Sequence, residues 1–322
     1  MIQSQRLLIF LMVILVMIPG ACLAQETAQD ADHKAVLVTG ATSGIGLKIT
    51  EHLSAAGHFV YAGARKDEDM ERLNAMDNVM AVRLDVTKQD QIDAAVATIE
   101  AEGRGLYGLV NNAGVAILGA TLDTTEEDFH WQMDVNVYGP FRVTRAFAPL
   151  IIASQGRINT IGSISGTATA AGLGPYSMTK HAMEAFTDAL AAELHDTGVR
   201  VSIVEPGNYK SRISARAYER MKATLEMSGR EPTAWEKTVL ERGPSDRSQH
   251  KEPDEVAEAV MRALFDPEPH RRYMVVPNQG EADWTITAKV RELVQLNADQ
   301  PYAYDREALI ELLDEELAKV AK

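Results

Sequence analysis

Ala35-Val-Leu-Val-Thr-Gly-Ala-Thr-Ser-Gly-Ile-Gly46 is the stretch that decides the fold. Four apolar, β-prone residues make a short buried strand, and the pattern from Gly46 to about Ala56 reads as a helix closed by Gly57. Between them, small residues let the backbone approach a pyrophosphate, while the helix N-terminus supplies unpaired N–H groups and a favourable dipole. The spacing Gly40-x-x-x-Gly44-x-Gly46 differs from the G-x-G-x-x-G of many dinucleotide folds. Working outward, further apolar runs at 59–62, 79–84, 106–110, 157–161, 199–204 and 272–276 read as strands, with helical patterns between them such as 89–102. Seven strands alternating with helices argue for an α/β fold, a doubly wound parallel sheet covered on both faces. In such a sheet ligands gather beyond the carboxyl ends of the strands.

The chain has 322 residues, 46% of them hydrophobic, and a net charge of −14. That suits one domain with short extensions and offers no basic field for nucleic acid. The lone cysteine, Cys22, lies near the N-terminus, so disulfides, Cys-based zinc sites and Cys nucleophiles are excluded from the rest, and no metal site is expected. Arg6, the apolar run 7–18, Pro19-Gly20 and Ala21-Cys-Leu-Ala24 read as a signal peptide or N-terminal anchor over 1–24. Cleavage after Ala24, lipid attachment at Cys22 and retention as a short anchor all remain open. Each makes the protein exported or membrane-associated; without the segment it would be cytoplasmic. A linker (25–33), the main domain (34–280) and a C-terminal helical extension (281–322) follow.

Tyr176-Ser-Met-Thr-Lys180 places a phenol and an ammonium four residues apart on one helix face. A tyrosine titrates near ~10, and a fixed lysine cation close by would draw that value down, fitting the phenol for general acid or base work.

With Asn111-Asn-Ala-Gly114 after the fourth strand, and Ser163 ahead of Tyr176-x-x-x-Lys180, the chain resembles the short-chain dehydrogenase/reductase family over about 34–207, more weakly to about 277. The resemblance implies a Rossmann-type sheet and a nicotinamide-dependent oxidoreductase. It implies that Tyr176 is the proton donor and acceptor and that Lys180 holds the nicotinamide ribose and lowers the Tyr pKa. Ser163 would orient the substrate oxygen, with Ser165 the alternative hydroxyl. Asn136 would anchor a water-mediated relay to the lysine, or only bond within its helix. Cofactor contacts implied by position are Thr39, Gly40, Ser43, Gly44, Ile45, Gly46, Arg65, Asp85, Val86, Asn112, Ala113, Gly114, Pro206, Gly207 and Ser211, the last standing where the family usually has Thr. Asp85 could instead cap a helix.

Ala64 stands where NAD-selective members carry a carboxylate, and Arg65 follows, which favours NADP over NAD; Arg65 and Lys66 could instead be a solvated strand end. Against this, Ser43 occupies the glycine-loop position where many NADP-selective members carry a basic residue. The segment 208–252 would cover the substrate. Its Tyr209, Ile213, Tyr218, Met221, Leu225, Met227 and Trp235 suit a flat hydrophobic alcohol or ketone, or simple packing. Val204-Glu-Pro-Gly-Asn-Tyr209 resembles the branch with retinol, 17β-hydroxysteroid and 3-hydroxybutyrate dehydrogenases. Pairing through the helices of Asn136 and Tyr176 would make a homo-oligomer. The alternative function is a non-catalytic dinucleotide-binding sensor or scaffold.

Overall fold

The computed structural model describes residues 33–244 and 246–320, so the expected segment 1–24 and nearly all of the linker lie outside the described residues. Seven strands form one parallel sheet: β1 (Ala35–Val38), β2 (Phe59–Ala64), β3 (Val79–Arg83), β4 (Gly108–Asn111), β5 (Arg157–Ile161), β6 (Arg200–Pro206) and β7 (Arg272–Val275). Their spatial order is β3-β2-β1-β4-β5-β6-β7. The chain therefore winds outward from β1 to β3, returns to β4, and winds outward the other way, leaving the topological switch between β1 and β4.

The helices are α1 (Gly44–Ala55), α2 (Asp67–Asn74), α3 (Gln89–Glu102), α4 (Glu126–Met133), α5 (Gly139–Ala153), α6 (Gly174–Glu193), α7 (Ile213–Ser228), α8 (Ala234–Arg242), α9 (Asp254–Phe265), α10 (Gln279–Asn297) and α11 (Arg306–Val320). Alternation along β1 builds two cores. Val36 and Val38 pack with Ile49 and Leu53 of α1 and Val256 and Val260 of α9. Ala35 and Leu37 face the other way, toward Ile92 and Ile99 of α3 and Val143 and Phe147 of α5. Burying each larger side chain contributes about 1.5–3 kcal/mol, which clamps the sheet between its helical layers.

Helix α1 begins at Gly44, two residues earlier than the apolar pattern indicates, because Gly44 takes φ +56° and turns the chain directly out of the loop. Gly46 has no room for a side chain: a Cβ there would lie 2.3 Å from Asn112 Nδ2 and 2.4 Å from the Gly40 carbonyl. Asn112 in turn donates from Nδ2 to the carbonyls of Thr39 (2.8 Å) and Gly40 (3.1 Å), tying the β4 end to the glycine loop. No helix among the described residues is long and apolar enough to cross a membrane. Several large apolar side chains of α10 and α11 stay exposed, Leu293, Leu296 and Leu313 among them.

Candidate active site

A crevice of about 1330 Å³ runs along the carboxyl ends of the strands, across the switch point. The glycine loop and the end of β2 form one end of it, and Ser163, Tyr176 and Lys180 line the other. Among the residues expected at the site, Gly40, Ser43, Gly44, Ile45, Gly46, Arg65, Asp85, Val86, Asn112, Ala113, Gly114, Pro206, Gly207 and Ser211 also line it.

Thr39 and Asn136 do not line the crevice; they brace it from beneath. The buried Thr39 hydroxyl accepts from the backbone N–H groups of Asn112 and Ala113, both at 3.0 Å, and so fixes the turn after β4. Asn136 sits in a π-helical turn, Asp134–Tyr138, a local widening that often marks functional sites. Its Oδ1 accepts from Val115 N at 2.9 Å, and its Nδ2 donates to Val115 O at 2.8 Å and to Thr179 Oγ1 at 3.1 Å. It therefore joins the turn after β4 to the helix that carries Tyr176 and Lys180.

Ser163 follows β5 in extended backbone, and its Oγ accepts from Ser165 N at 3.1 Å. That contact locks the hydroxyl on the crevice side facing Tyr176. Lys180 is buried, donates from Nζ to the Ile161 carbonyl at 2.8 Å, and lies 5.7 Å from the Tyr176 ring centroid. Burial pulls its pKa down to about 8, opposed by the charge of Glu184. The expected lowering of the Tyr176 pKa by Lys180 is not what the structure shows. Burial pushes the phenol up, and the groups that oppose this are the Ser163 side chain and Arg247. The lysine Nζ donates to the Ile161 carbonyl, and Lys180 is not among the groups that shift the phenol.

Asp85 accepts at Oδ1 from the Thr87 N–H (3.0 Å) and hydroxyl (2.7 Å) and lies 3.7 Å from Arg65 Nη1. It closes its own turn and does not cap α3, whose N-cap is Lys88. Burial alone would raise its pKa; the Thr87 hydrogen bonds and the Arg65 charge outweigh it and leave the carboxyl below its ordinary range.

The substrate-covering segment departs from expectation in which face it presents. Met221 and Leu225 are buried in packing, Tyr209 is a core residue, and Met227 is 85% exposed. Ile213 and an edge of Tyr209 do line the crevice, but they share it with Arg212, just ahead of α7, and with Arg216 and Arg220 on the helix. Further residues missed by motif reading are Arg247, Trp131, Glu281 and Trp284. The last two fall in the expected extension, yet the first turn of α10 walls the crevice: Glu281 Oε2 accepts from Asn208 N at 2.8 Å, beside Gly207. Arg247 donates from Nη2 to Asn208 Oδ1 at 2.9 Å, while its buried Nε has no partner among the described residues.

A dinucleotide fits this donor set. The N-terminus of α1 opens on the crevice with no side chain capping it, which suits a pyrophosphate, and guanidinium groups cluster at the β2 end.

Comparison with known proteins agrees with this geometry. Residues 34–222 match the family model described as short chain dehydrogenase. The chain is 39% identical over 186 residues to a mitochondrial D-beta-hydroxybutyrate dehydrogenase of Bos taurus, covering 55% of this chain and 54% of that protein. It thus spans about half the length of that relative. A short chain dehydrogenase/reductase from Burkholderia phymatum, solved in complex with NAD, superposes with TM-score 0.70 at 25% identity, over 85% of this chain and 97% of that one. A serine dehydrogenase complexed with NADP+ superposes with TM-score 0.63 at 30% identity, over 75% and 94%. The protein belongs to the short-chain dehydrogenase/reductase family.

Proposed function

We propose that the protein is an NAD(P)-dependent oxidoreductase that interconverts a secondary alcohol and a ketone, or an alcohol and an aldehyde, with NADP preferred over NAD. The observation that carries this reading is the meeting of Tyr176, Ser163 and Lys180 in the crevice that the glycine loop opens. When bound, the nicotinamide supplies a hydride to the substrate carbon or takes one from it.

Ser163 Oγ, held by Ser165 N, donates to the substrate oxygen and stabilises the charge that gathers there. Tyr176, kept protonated at neutral pH by burial, hands its phenolic proton to that oxygen during reduction and takes it back during oxidation. Lys180 would hold the ribose hydroxyls, and Asn136 sets the distance between its helix and the turn after β4. The absence of a carboxylate at Ala64 and the presence of Arg65 support NADP.

Leu118, Trp131, Leu173 and Trp284 line the crevice and support a hydrophobic substrate body. One observation favours a second reading of the substrate: the unpartnered Nε of Arg247, on a side chain whose charge reaches Tyr176, suits a carboxylate close to the reacting carbon. Exposed Tyr138 and Phe141 on α5 and its lead-in, with Met178 on α6, support a homo-oligomer, which light scattering would register as a multiple of the chain mass. The N-terminal run supports export or membrane association, which cell fractionation tests.

Oxidation of NADPH with a panel of neutral ketones and 3-oxo acids tests the function directly. Turnover of any member supports it. Dinucleotide binding with no turnover across the panel would make the protein a non-catalytic holder of the same fold.

A further inference from the structure

Arg212, the N-cap of α7, and Arg216 and Arg220 on the helix stand at a spacing of four, Arg212-x-x-x-Arg216-x-x-x-Arg220, so the three follow one side, and all three line the crevice. Arg220 is fully engaged. Its Nε and Nη2 meet Asp128 Oδ1 at 2.7 Å, and its guanidinium lies 3.7 Å from the Trp131 ring centroid.

Arg216 is engaged by no carboxylate at ion-pair distance among the described residues. It reaches from α7 across 173 positions of sequence to donate to Ser43 Oγ at 3.4 Å, a long contact with a hydroxyl that caps nothing in α1. Its neighbours are the like charges of Arg212 and Arg65; the nearby carboxylate, Asp69, is already paired with Arg72 at 2.9 Å. Arg65 has only a 3.7 Å approach to Asp85, which Thr87 holds. Gathering guanidinium groups this way costs stability, and an anion of charge −2 would relieve it. Burial, then the charges of Arg212 and Arg65, pull the Arg216 pKa below its ordinary value, as expected of a cation without sufficient counter-charge.

The place of the cluster names the anion. Arg65 follows the last residue of β2, the edge where the adenosine ribose lies in this type of sheet. Ser43 is the glycine-loop position at which a local basic residue is absent. We infer that Arg216, together with Arg65, receives the 2′-phosphate of NADP, so that helix α7 replaces the missing loop cation and ties cofactor choice to the wall of the substrate cavity. The tie is built from contacts on both sides. Ser211, leading into α7, has its Cβ 3.6 Å from the position a Gly44 Cβ would take, and Ala217, Met221 and Leu225 bury the opposite face of the helix. A phosphate held by Arg216 thus fixes the helix that also places Arg220 on Trp131.

This inference rests on the nicotinamide-dependent reading above, and its test separates the two. The full chain and its Arg216→Gln and Arg216→Lys variants are titrated calorimetrically with NADP+ and NAD+, and amide exchange is followed over 213–228 with each dinucleotide. Wild type is expected to bind NADP+ more tightly than NAD+ by at least about tenfold. Arg216→Gln should lose about tenfold to a hundredfold in NADP+ affinity with NAD+ affinity within about twofold, and Arg216→Lys should keep part of it. NADP+ should slow exchange across α7 more than NAD+ does, and Arg216→Gln should abolish that excess. If wild type prefers NADP+ and Arg216→Gln keeps the full preference, the assignment of Arg216 is overturned while the cofactor reading stands. Equal wild-type affinities would overturn the NADP reading itself, and with it this inference. An α7 protection excess that survives in Arg216→Gln would overturn the tie.

Discussion

Replacing Glu184 by Gln should remove one limb of the protein's stability–pH curve. Glu184 lies one helical turn beyond Lys180 on α6; its Oε2 accepts from Arg272 Nε at 3.0 Å, while its buried Oε1 has no donor among the described residues. The Glu205 carboxyl lies against it, itself accepting from Thr167 Oγ1 at 2.8 Å. Burial first, and then the Glu205 charge, push Glu184 from 4.5 up to about 8, so the folded protein retains a proton that the unfolded chain releases.

The stabilisation this gives is complete below pH 4.5 and is lost as pH rises through about 8. Lys180 acts in a different window. Its folded pKa of about 8 lies below the ordinary 10.5, so the unfolded chain binds the extra proton between those values and stability recovers as pH rises across them. Together the two groups place a minimum of their joint contribution near pH 8. At about 1.4 kcal/mol per pH unit the Glu184 limb has a ceiling of about 5 kcal/mol, and solvent screening and sharing between two carboxyls bring it well below that. At about 2 °C per kcal/mol the melting temperature should fall by roughly 2–8 °C between pH 5 and 8. Arg272 keeps Asp188 at 2.7 Å, so Glu184→Gln should fold. Thermal melts at a series of pH values check this: the variant should show a flat profile from pH 5 to 8 where wild type falls. Parallel profiles would refute the shared proton.

Other outcomes follow from the same geometry. Gly46→Ala should lose about 1–3 kcal/mol in chemical denaturation, since its methyl would enter the Asn112 amide and the Gly40 carbonyl, and dinucleotide affinity should drop with it. Ser163→Ala should lower kcat by about 10²–10³ with little change in the melting temperature, measured by steady-state kinetics. Arg247→Ala should raise KM for 3-oxo acids and leave it nearly unchanged for neutral ketones; equal effects on both would remove the carboxylate reading.

Much of the sheet was legible because buried parallel strands appear as unbroken apolar runs: 35–38 and 157–161 were found with the bounds the structure shows, as was helix α3 at 89–102. That Tyr176, Lys180 and the glycine loop line one crevice was legible because their patterns are set by local spacing. Less legible was everything set by a neighbour distant in sequence. Helical spacing shows that Met221 and Leu225 share a face of α7, yet not whether that face meets substrate or core; the structure turns it inward and leaves Arg216 and Arg220, with Ile213, on the crevice. The four-residue arginine spacing was the available signal for Arg216, and nothing local connects it with Ser43. Lys180 lines the crevice as its motif led one to expect, but its attachment to the Ile161 carbonyl depends on β5 packing beside α6, a contact no motif encodes. Glu281 and Trp284 were hidden because a helix after the last strand reads as an appendage.

The proposed chemistry depends on the phenol of residue 176, and single-turnover hydride transfer in Tyr176→Phe measures it most directly. With dinucleotide affinity unchanged, the variant should transfer hydride about 10²–10⁴-fold more slowly than wild type. A variant that reduces the same carbonyl at the wild-type rate would contradict the proposed chemistry.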